Sequence, residues 1–287
     1  MTLHANDLHV SVGDKALLTD VSLTVNPGDR IAVLGSNGAG KSTLLNCLTG
    51  ERRLDQGAVW LNKRLINGHD PQASSKADND PRARARCMAV MPQNVTLAFP
   101  LRVHEVVAMG RSPHQDEAMT RHWQRDAMRL MDVWHLRDRE YPRLSGGEQQ
   151  RTQMARVLVQ IWECRETTGE GHYLLLDECF SAADPAHQHT IMDKVGEFAT
   201  AGVGVVAVMH DMALAAAWAD RVVLLKNGEV VASGPVELLT MTQVLQNVYD
   251  LPYLLAHHYA RNNRHWLARN PGDLVGADEP SAVLFGS

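Results

Sequence analysis

Gly35-Ser36-Asn37-Gly38-Ala39-Gly40-Lys41-Ser42 decides how the rest of this chain is read. The stretch matches G-x-x-x-x-G-K-[ST]. It stands between an apolar run at residues 31–34 and a helix-spaced segment at 41–49, with Gly50 placed as a C-cap. Glycines let successive backbone N–H groups converge on a phosphate, and a helix start adds positive potential at the same place. Gly35, Ser36, Asn37, Gly38, Ala39, Gly40, Lys41, Ser42 and Thr43 are therefore the candidate nucleotide-binding loop. In it Lys41 reaches the β- and γ-phosphates and the Ser42 hydroxyl ligates Mg2+. At average glycine usage, a chance match in a chain of this length is on the order of one in a hundred, and the strand and helix on either side lower those odds.

The flanking segments extend the pattern. Residues 23–25 alternate, Pro27-Gly28-Asp29 turns the chain, and the buried strand at 31–34 feeds the glycine loop. Residues 67–86 are rich in Asp, Asn, Pro, Ser and Arg and read as an exposed connection near a subdomain boundary. Helical periodicity follows at 103–110, 124–136 and 147–162, and then 173–176 and 203–209 are nearly all apolar, as strands buried on both faces of a parallel sheet are. Residues 222–225 and 229–232 flank Lys226-Asn227-Gly228, a hairpin turn. The last forty or so residues show weak periodicity, and their histidines (His257, His258, His265) are read as unligated. The class is α/β.

Composition narrows the function. With 287 residues, 45% hydrophobic and 28 Lys+Arg against 33 Asp+Glu, the chain is long enough for a sizeable core and too acidic for a phosphate-backbone binder. The run at 203–225 is interrupted by His210, Asp211, Asp220 and Arg221, so no membrane span is expected, and the first residues carry no secretory-signal pattern. Cys47, Cys87, Cys164 and Cys179 lack any Cys-x-x-Cys spacing, which points to a reducing compartment without a zinc site.

Two more stretches carry chemistry. Leu174-Leu175-Leu176-Asp177-Glu178 ends a buried strand in adjacent carboxylates whose side chains alternate in direction; Asp177 is placed to hold Mg2+ and Glu178 to polarise the attacking water. Leu144-Ser145-Gly146-Gly147-Glu148-Gln149-Gln150-Arg151 opens a helix with a capping box from Ser145 to Glu148. Its two glycines leave N–H groups open to a second anion. One phosphate chain needs one cradle, so a second cradle implies a second subunit in a head-to-tail pair.

GSNGAGKS, LSGGEQQR, LLLDE and Met209-His210-Asp211, in this order, resemble the ATP-binding cassette (ABC) family of transporter ATPases over about residues 1–250. That resemblance implies an α/β, P-loop NTPase (RecA-like) core with a parallel sheet, an N-terminal antiparallel β region and an inserted helical subdomain. It divides the chain into 1–90 (core with the glycine loop), 91–163 (helical subdomain), 164–235 (core with the two carboxylates and the switch histidine) and 236–287 (C-terminal helical extension). Carried over by residue, Glu178, His210 and Gln93 are the expected catalytic set. Gln93 also touches Mg2+ with Ser42 and Asp177, His210 contacts the γ-phosphate, and Asp184 links the two nucleotide sites. Ser145, Gly146, Gly147 and Gln149 join the glycine loop in binding ATP. The implied cofactors are ATP and Mg2+.

Residues 99–114, ending in Gly110-Arg111-Ser112-Pro113-His114, are similar to importer ATPases for iron-siderophore, cobalamin and haem. LSGGEQQRTQMARVLVQIW with Ala186-His187-Gln188-His189 resembles the haem branch most. The implied assembly is an ATPase homodimer on the cytoplasmic face of the bacterial inner membrane, bound to a two-chain permease and, through it, to a substrate-binding protein, with no nucleic acid. Two positions depart from the family pattern: Val12-Gly13 stands where an adenine-stacking aromatic is usual, and Cys179-Phe180 where Pro-Thr is usual. A soluble cassette acting on nucleic acid or ribosomes is the alternative from another class. It usually needs tandem cassettes or a coiled-coil insertion, whereas 145 − 41 = 104 positions separate Ser145 from Lys41 here, without a heptad array. A small-molecule kinase leaves LSGGEQQR without a role.

Overall fold

The computed structural model describes residues 1–69, 80–93, 95, 97, 99–114, 117–165, 171–179 and 185–267. The chain opens with β1 (Leu3–Val12), β2 (Lys15–Val25) and β3 (Arg30–Gly35), and the glycine loop then leads into α1 (Lys41–Thr49). β4 (Gln56–Leu61), β5 (Arg64–Gly68), α2 (Pro81–Cys87) and β6 (Met88–Met91) come next, followed by α3 (Val103–Ala108), α4 (Glu117–Leu130) and α5 (Gly146–Gln160). β7 (His172–Asp177), α6 (Pro185–Thr200), β8 (Val203–Val208) and α7 (Met212–Trp218) return the chain to the sheet. β9 (Arg221–Lys226), β10 (Glu229–Pro235), α8 (Thr242–Tyr249) and α9 (Tyr253–Leu267) complete the described residues.

Two sheets result. The larger has the order β10-β9-β3-β8-β7-β6, parallel throughout except for β10, which folds back on β9. The smaller is antiparallel, in the order β2-β1-β4-β5. Alternate residues of each central strand serve different cores. Ala32, Leu34, Leu174, Leu176, Val205 and Ala207 pack with α3, α4, α5 and α6, while Ile31, Val33, Leu175, Val206 and Val208 pack with α1 and the antiparallel sheet. Both faces are buried, and this is why these strands read as continuous apolar runs. Every residue of β8 is buried.

Three segments differ from, or add to, their sequence reading. Of residues 67–86, 70–79 lie outside the described residues; among the rest, Asn67 lies in β5, buried, and its amide donates to Cys47 O and Arg52 O, while the exposed Asp80 caps α2 by accepting from Arg82 N, with Pro81 in the first turn. The helix read at 124–136 begins at Glu117 and stops at Leu130; Asp132 turns left-handed at φ 52°, and a short 3-10 turn follows at Trp134–Leu136. The C-terminal extension, weakly periodic by itself and helical by the family resemblance, runs as α8 and α9 as far as residue 267, where the small Ala256 and Ala260 of α9 are buried and its Asn263 amide donates to Leu239 O. Small and polar buried residues hide helical periodicity from a hydrophobicity reading.

Candidate functional site

The carboxyl ends of β3, β7 and β8 lie side by side in the large sheet, and the loops leaving them meet in one cleft of about 1000 Å³. Asn37, Gly38, Gly40, Lys41, Ser42 and Thr43 line one side, and Gln93, Glu178 and His210 face them. Such crevices outside the carboxyl ends of parallel strands are where open α/β sheets bind ligands.

The loop bends through left-handed backbone at Gly38 and Gly40, with φ 79° and 103°. A Cβ on Gly40 would press on Leu17 O and Leu18 Cδ2 at 2.9 Å, whereas one on Gly38 meets nothing within 4 Å, so Gly38 faces open space and Gly40 the packed floor. Gly35, Ser36 and Ala39 stand behind the lining: Gly35 ends β3 beside Leu225, and Ala39 N donates to Ser36 O. Lys41 is buried and its Nζ donates to Gly35 O at 2.9 Å and Ser36 O at 3.0 Å. Burial lowers the Lys41 pKa, with the charges of Glu178 and Asp177 opposing that shift.

The acidic pair divides as the strand's alternation requires. Asp177, still in β7, is buried, and accepts from Ser42 Oγ at 3.2 Å. Its pKa is raised, chiefly by burial and further by the charge of Glu178, against the Ser42 hydrogen bond and the charges of Lys41 and His210. Glu178, one residue on, has φ 50° and points into the cleft. Gln93 Nε2 donates to its Oε2 at 2.6 Å, and His210 Nε2 lies 2.6 Å from its Oε1. Both carboxylate oxygens are thus held from opposite sides. Cys179 is buried below, where burial raises its thiol pKa far above the ordinary range.

Of the residues expected at the site, the structure gathers the glycine loop, Asp177, Glu178, Gln93 and His210. Ser145, Gly146, Gly147 and Gln149 are not among the residues lining that cleft. They open α5, where Ser145 N and Oγ donate to Glu148 Oε2 at 2.7 and 2.9 Å, Glu148 N donates back to Ser145 Oγ, and Gln149 Nε2 donates to Leu144 O. A Cβ on Gly146 would meet nothing within 4 Å. Asp184 lies outside the described residues.

The family model for ABC transporters matches residues 18–181, more than half of the chain. The chain belongs to the ABC transporter family. It is 42% identical over 273 residues to the hemin import ATP-binding protein HmuV of Pseudomonas fluorescens, spanning 93% of this chain and 100% of that one. To the protein of the same name from Bordetella avium it is 45% identical over 260 residues, with 88% and 93% covered. Among solved structures, an ATP binding subunit of an ABC transporter superposes with a TM-score of 0.72 at 21% identity, covering 91% and 100% of the two chains. A dimeric bacterial ABC transporter cassette gives 0.69 at 22%, covering 82% and 98%. At those identities the likeness carries the fold, which is the α/β P-loop NTPase arrangement expected for an ABC cassette.

The ABC cassette cleft has walls that sequence reasoning missed. Lys15, Ala16 and Leu17 from the start of β2, and Asn227 and Gly228 from the β9–β10 turn, line it beside the glycine loop. Gly228 N donates to Ala39 O and Gly228 O accepts from Thr19 N, which brings the two hairpins together over the loop. The family resemblance marks the adjacent Val12-Gly13 only as the place of a usual adenine-stacking residue; the register that presents Lys15 and Leu17 is a tertiary fact. Val12 is exposed and outside the lining.

Proposed function

We propose that this chain is the ATP-hydrolysing, energy-coupling subunit of a bacterial importer for hemin. The observation that carries the ATPase part is convergence: a phosphate cradle, a hydroxyl–carboxylate pair and a carboxylate held between Gln93 and His210 share one cleft. The cargo comes from the hemin import relatives, which cover the chain nearly end to end.

In this reading residues 35–43 wrap the phosphates, with Lys41 exchanging its two loop carbonyls for β- and γ-phosphate oxygens. Ser42 and Asp177 present oxygens 3.2 Å apart, the donor type a hard divalent cation selects, and Gln93 is the third residue that would hold it. Held there, a divalent cation would supply positive charge against the negative charge of the nucleotide phosphates. Glu178 orients and deprotonates the attacking water, and His210 turns from the carboxylate to the γ-phosphate. Residues 145–147 of a second copy complete the site and stabilise charge on the transferred group. Closure of that head-to-tail dimer drives a two-chain permease, which in turn meets a substrate-binding protein; the chain sits peripherally on the cytoplasmic face of the inner membrane. Among the described residues, no helix is long and apolar enough to cross a bilayer. The division at 90, 163 and 235 follows the same reading: nucleotide chemistry in the two core segments, LSGGEQQR and permease contact in 91–163.

The test is reconstitution with its permease in liposomes and measurement of ATPase stimulation by the binding protein carrying hemin, a ferric siderophore or cobalamin. Stimulation by hemin alone is the expected result. Stimulation by another cargo keeps the importer and removes hemin, and none at all returns the soluble class.

A further inference from the structure

Gly110, Arg111 and His114, which mark the importer subgroup in sequence, take no part in the ATP cleft. They cap the far end of α5 instead. The last carbonyls of α5 have no donor within the helix, and two side chains supply one each: Arg111 Nη1 donates to Val159 O at 3.2 Å, and His114 Nε2 bonds Gln160 O at 2.7 Å. The Arg111 charge there also complements the helix dipole. Glu163 joins the pair, accepting from Arg111 Nη2 at 2.8 Å and lying 3.0 Å from His114 Nδ1. Both ring nitrogens thus face acceptors, and both bonds form only when each carries a hydrogen. Arg111 is 3% exposed, with its guanidinium 4.7 Å from the Trp123 ring of α4. A Cβ on Gly110 would overlap Arg156 O, so only glycine lets the turn approach α5.

The same turn is tied to the nucleotide-binding sheet. Arg86 Nε of α2 donates to Pro113 O at 3.0 Å, and Gln160 Nε2 donates to Ala85 O at 2.7 Å and Met88 O at 3.0 Å. α5 has 15 residues, a rod of about 22 Å. Its other end carries Ser145, Gly146 and Gly147.

We propose that the 110–114 turn is a positioning clamp: Arg111 and His114 fix the C-terminal end of α5 to α2 and β6, and so set where residues 145–147 are presented to the nucleotide of a second copy. This rests on the head-to-tail reading above. A buried Arg with a half-buried His and Glu costs desolvation that apolar packing would avoid. What they add is direction, since each bond is made to one carbonyl or carboxylate in one geometry.

The experiment uses the full chain with Glu178→Gln, which holds ATP without turning it over, and adds Arg111→Lys or His114→Gln. Two quantities are read: binding of a fluorescent ATP analogue to the monomer, and the MgATP concentration giving half-maximal dimer by analytical ultracentrifugation. Positioning predicts analogue binding within about twofold of the parent and a dimerisation midpoint raised about tenfold. In chains that keep Glu178, kcat falls about tenfold with little change in KM, because small misplacements far from the reacting atoms carry penalties of that size. Arg111→Lys keeps charge and loses the fork, so it remains informative where His114→Gln lowers expression. Variants that dimerise and turn over within twofold of their parents overturn the clamp, as does analogue binding that falls in step with dimerisation. A Glu178→Gln parent that stays monomeric overturns the head-to-tail reading, and the clamp with it.

Discussion

Glu178 occupies left-handed backbone that an L side chain enters at a cost of about 1–2 kcal/mol, and it does so where its carboxylate is held between Gln93 and His210. The strain makes a test that separates stability from activity. Glycine ordinarily weakens a fold relative to alanine, but at this φ the order reverses. Glu178→Gly is expected to be about 1 kcal/mol more stable than Glu178→Ala, a melting point roughly 2–4 °C higher, while both lose at least about 100-fold in ATP turnover. Equal or inverted melting points in differential scanning calorimetry would show that the strain is absent. The floor of the loop is as exacting: Gly40→Ala brings a Cβ against Leu17 O at φ 103° and is expected to cost about 1–3 kcal/mol and most ATP binding, read by thermal melt and nucleotide titration.

Elements were legible where their signal is local. The glycine loop, the capping box at Ser145, the apolar strands β7 and β8 and the Gly50 cap of α1 each depend on a few contiguous residues, and the structure places them where the sequence does. β1 is harder to read: its alternation breaks at Asp7, φ 51°, and register shifts displace its pairing with β2. α9 is hidden because its buried positions are Ala256, Ala260 and Asn263 rather than large apolar residues. The lining by Lys15, Leu17 and Gly228 comes from hairpins meeting across the fold, which no window of sequence contains. The end of α5 is a similar case, and its chemistry titrates. Burial by itself pushes the Glu163 carboxyl up, but hydrogen bonds from His114 and Arg111, with their charges, outweigh it and hold the pKa at about 2. A carboxylate depressed below its unfolded value of about 4.3 adds stability above that value and loses it as pH falls toward 2. Urea unfolding between about pH 5 and pH 2 should therefore lose no more than about 3 kcal/mol through this group, and Glu163→Gln should show a correspondingly shallower acid slope. An unchanged slope would mean that the three charges are not coupled in solution.

At the scale of the whole molecule, the two loops assigned to phosphate in the proposed function are separated: residues 35–43 sit in the cleft with Glu178, while residues 145–147 open α5 outside its lining. In the proposed head-to-tail pair no single copy would complete the site, and a twofold pair would close two sites at once by giving each copy's α5 to the other's cleft. This arrangement predicts complementation between inactive chains. Lys41→Ala removes a copy's own cradle but leaves its Ser145 loop, and Ser145→Arg blocks the loop it lends but leaves its own cradle. Each alone should hydrolyse ATP at background rates, by phosphate release. Mixed in equal amounts and exchanged, half of the pairs are hybrids, and each hybrid holds one intact site of two. Recovered turnover is therefore about a quarter of the unmodified rate if the sites act independently, and lower if both must fire together. The recovery should also rise with total concentration as pairs form. A mixture that stays at background while both variants remain folded would show that each copy works with its own loops, and the placement of residues 145–147 would then need another explanation.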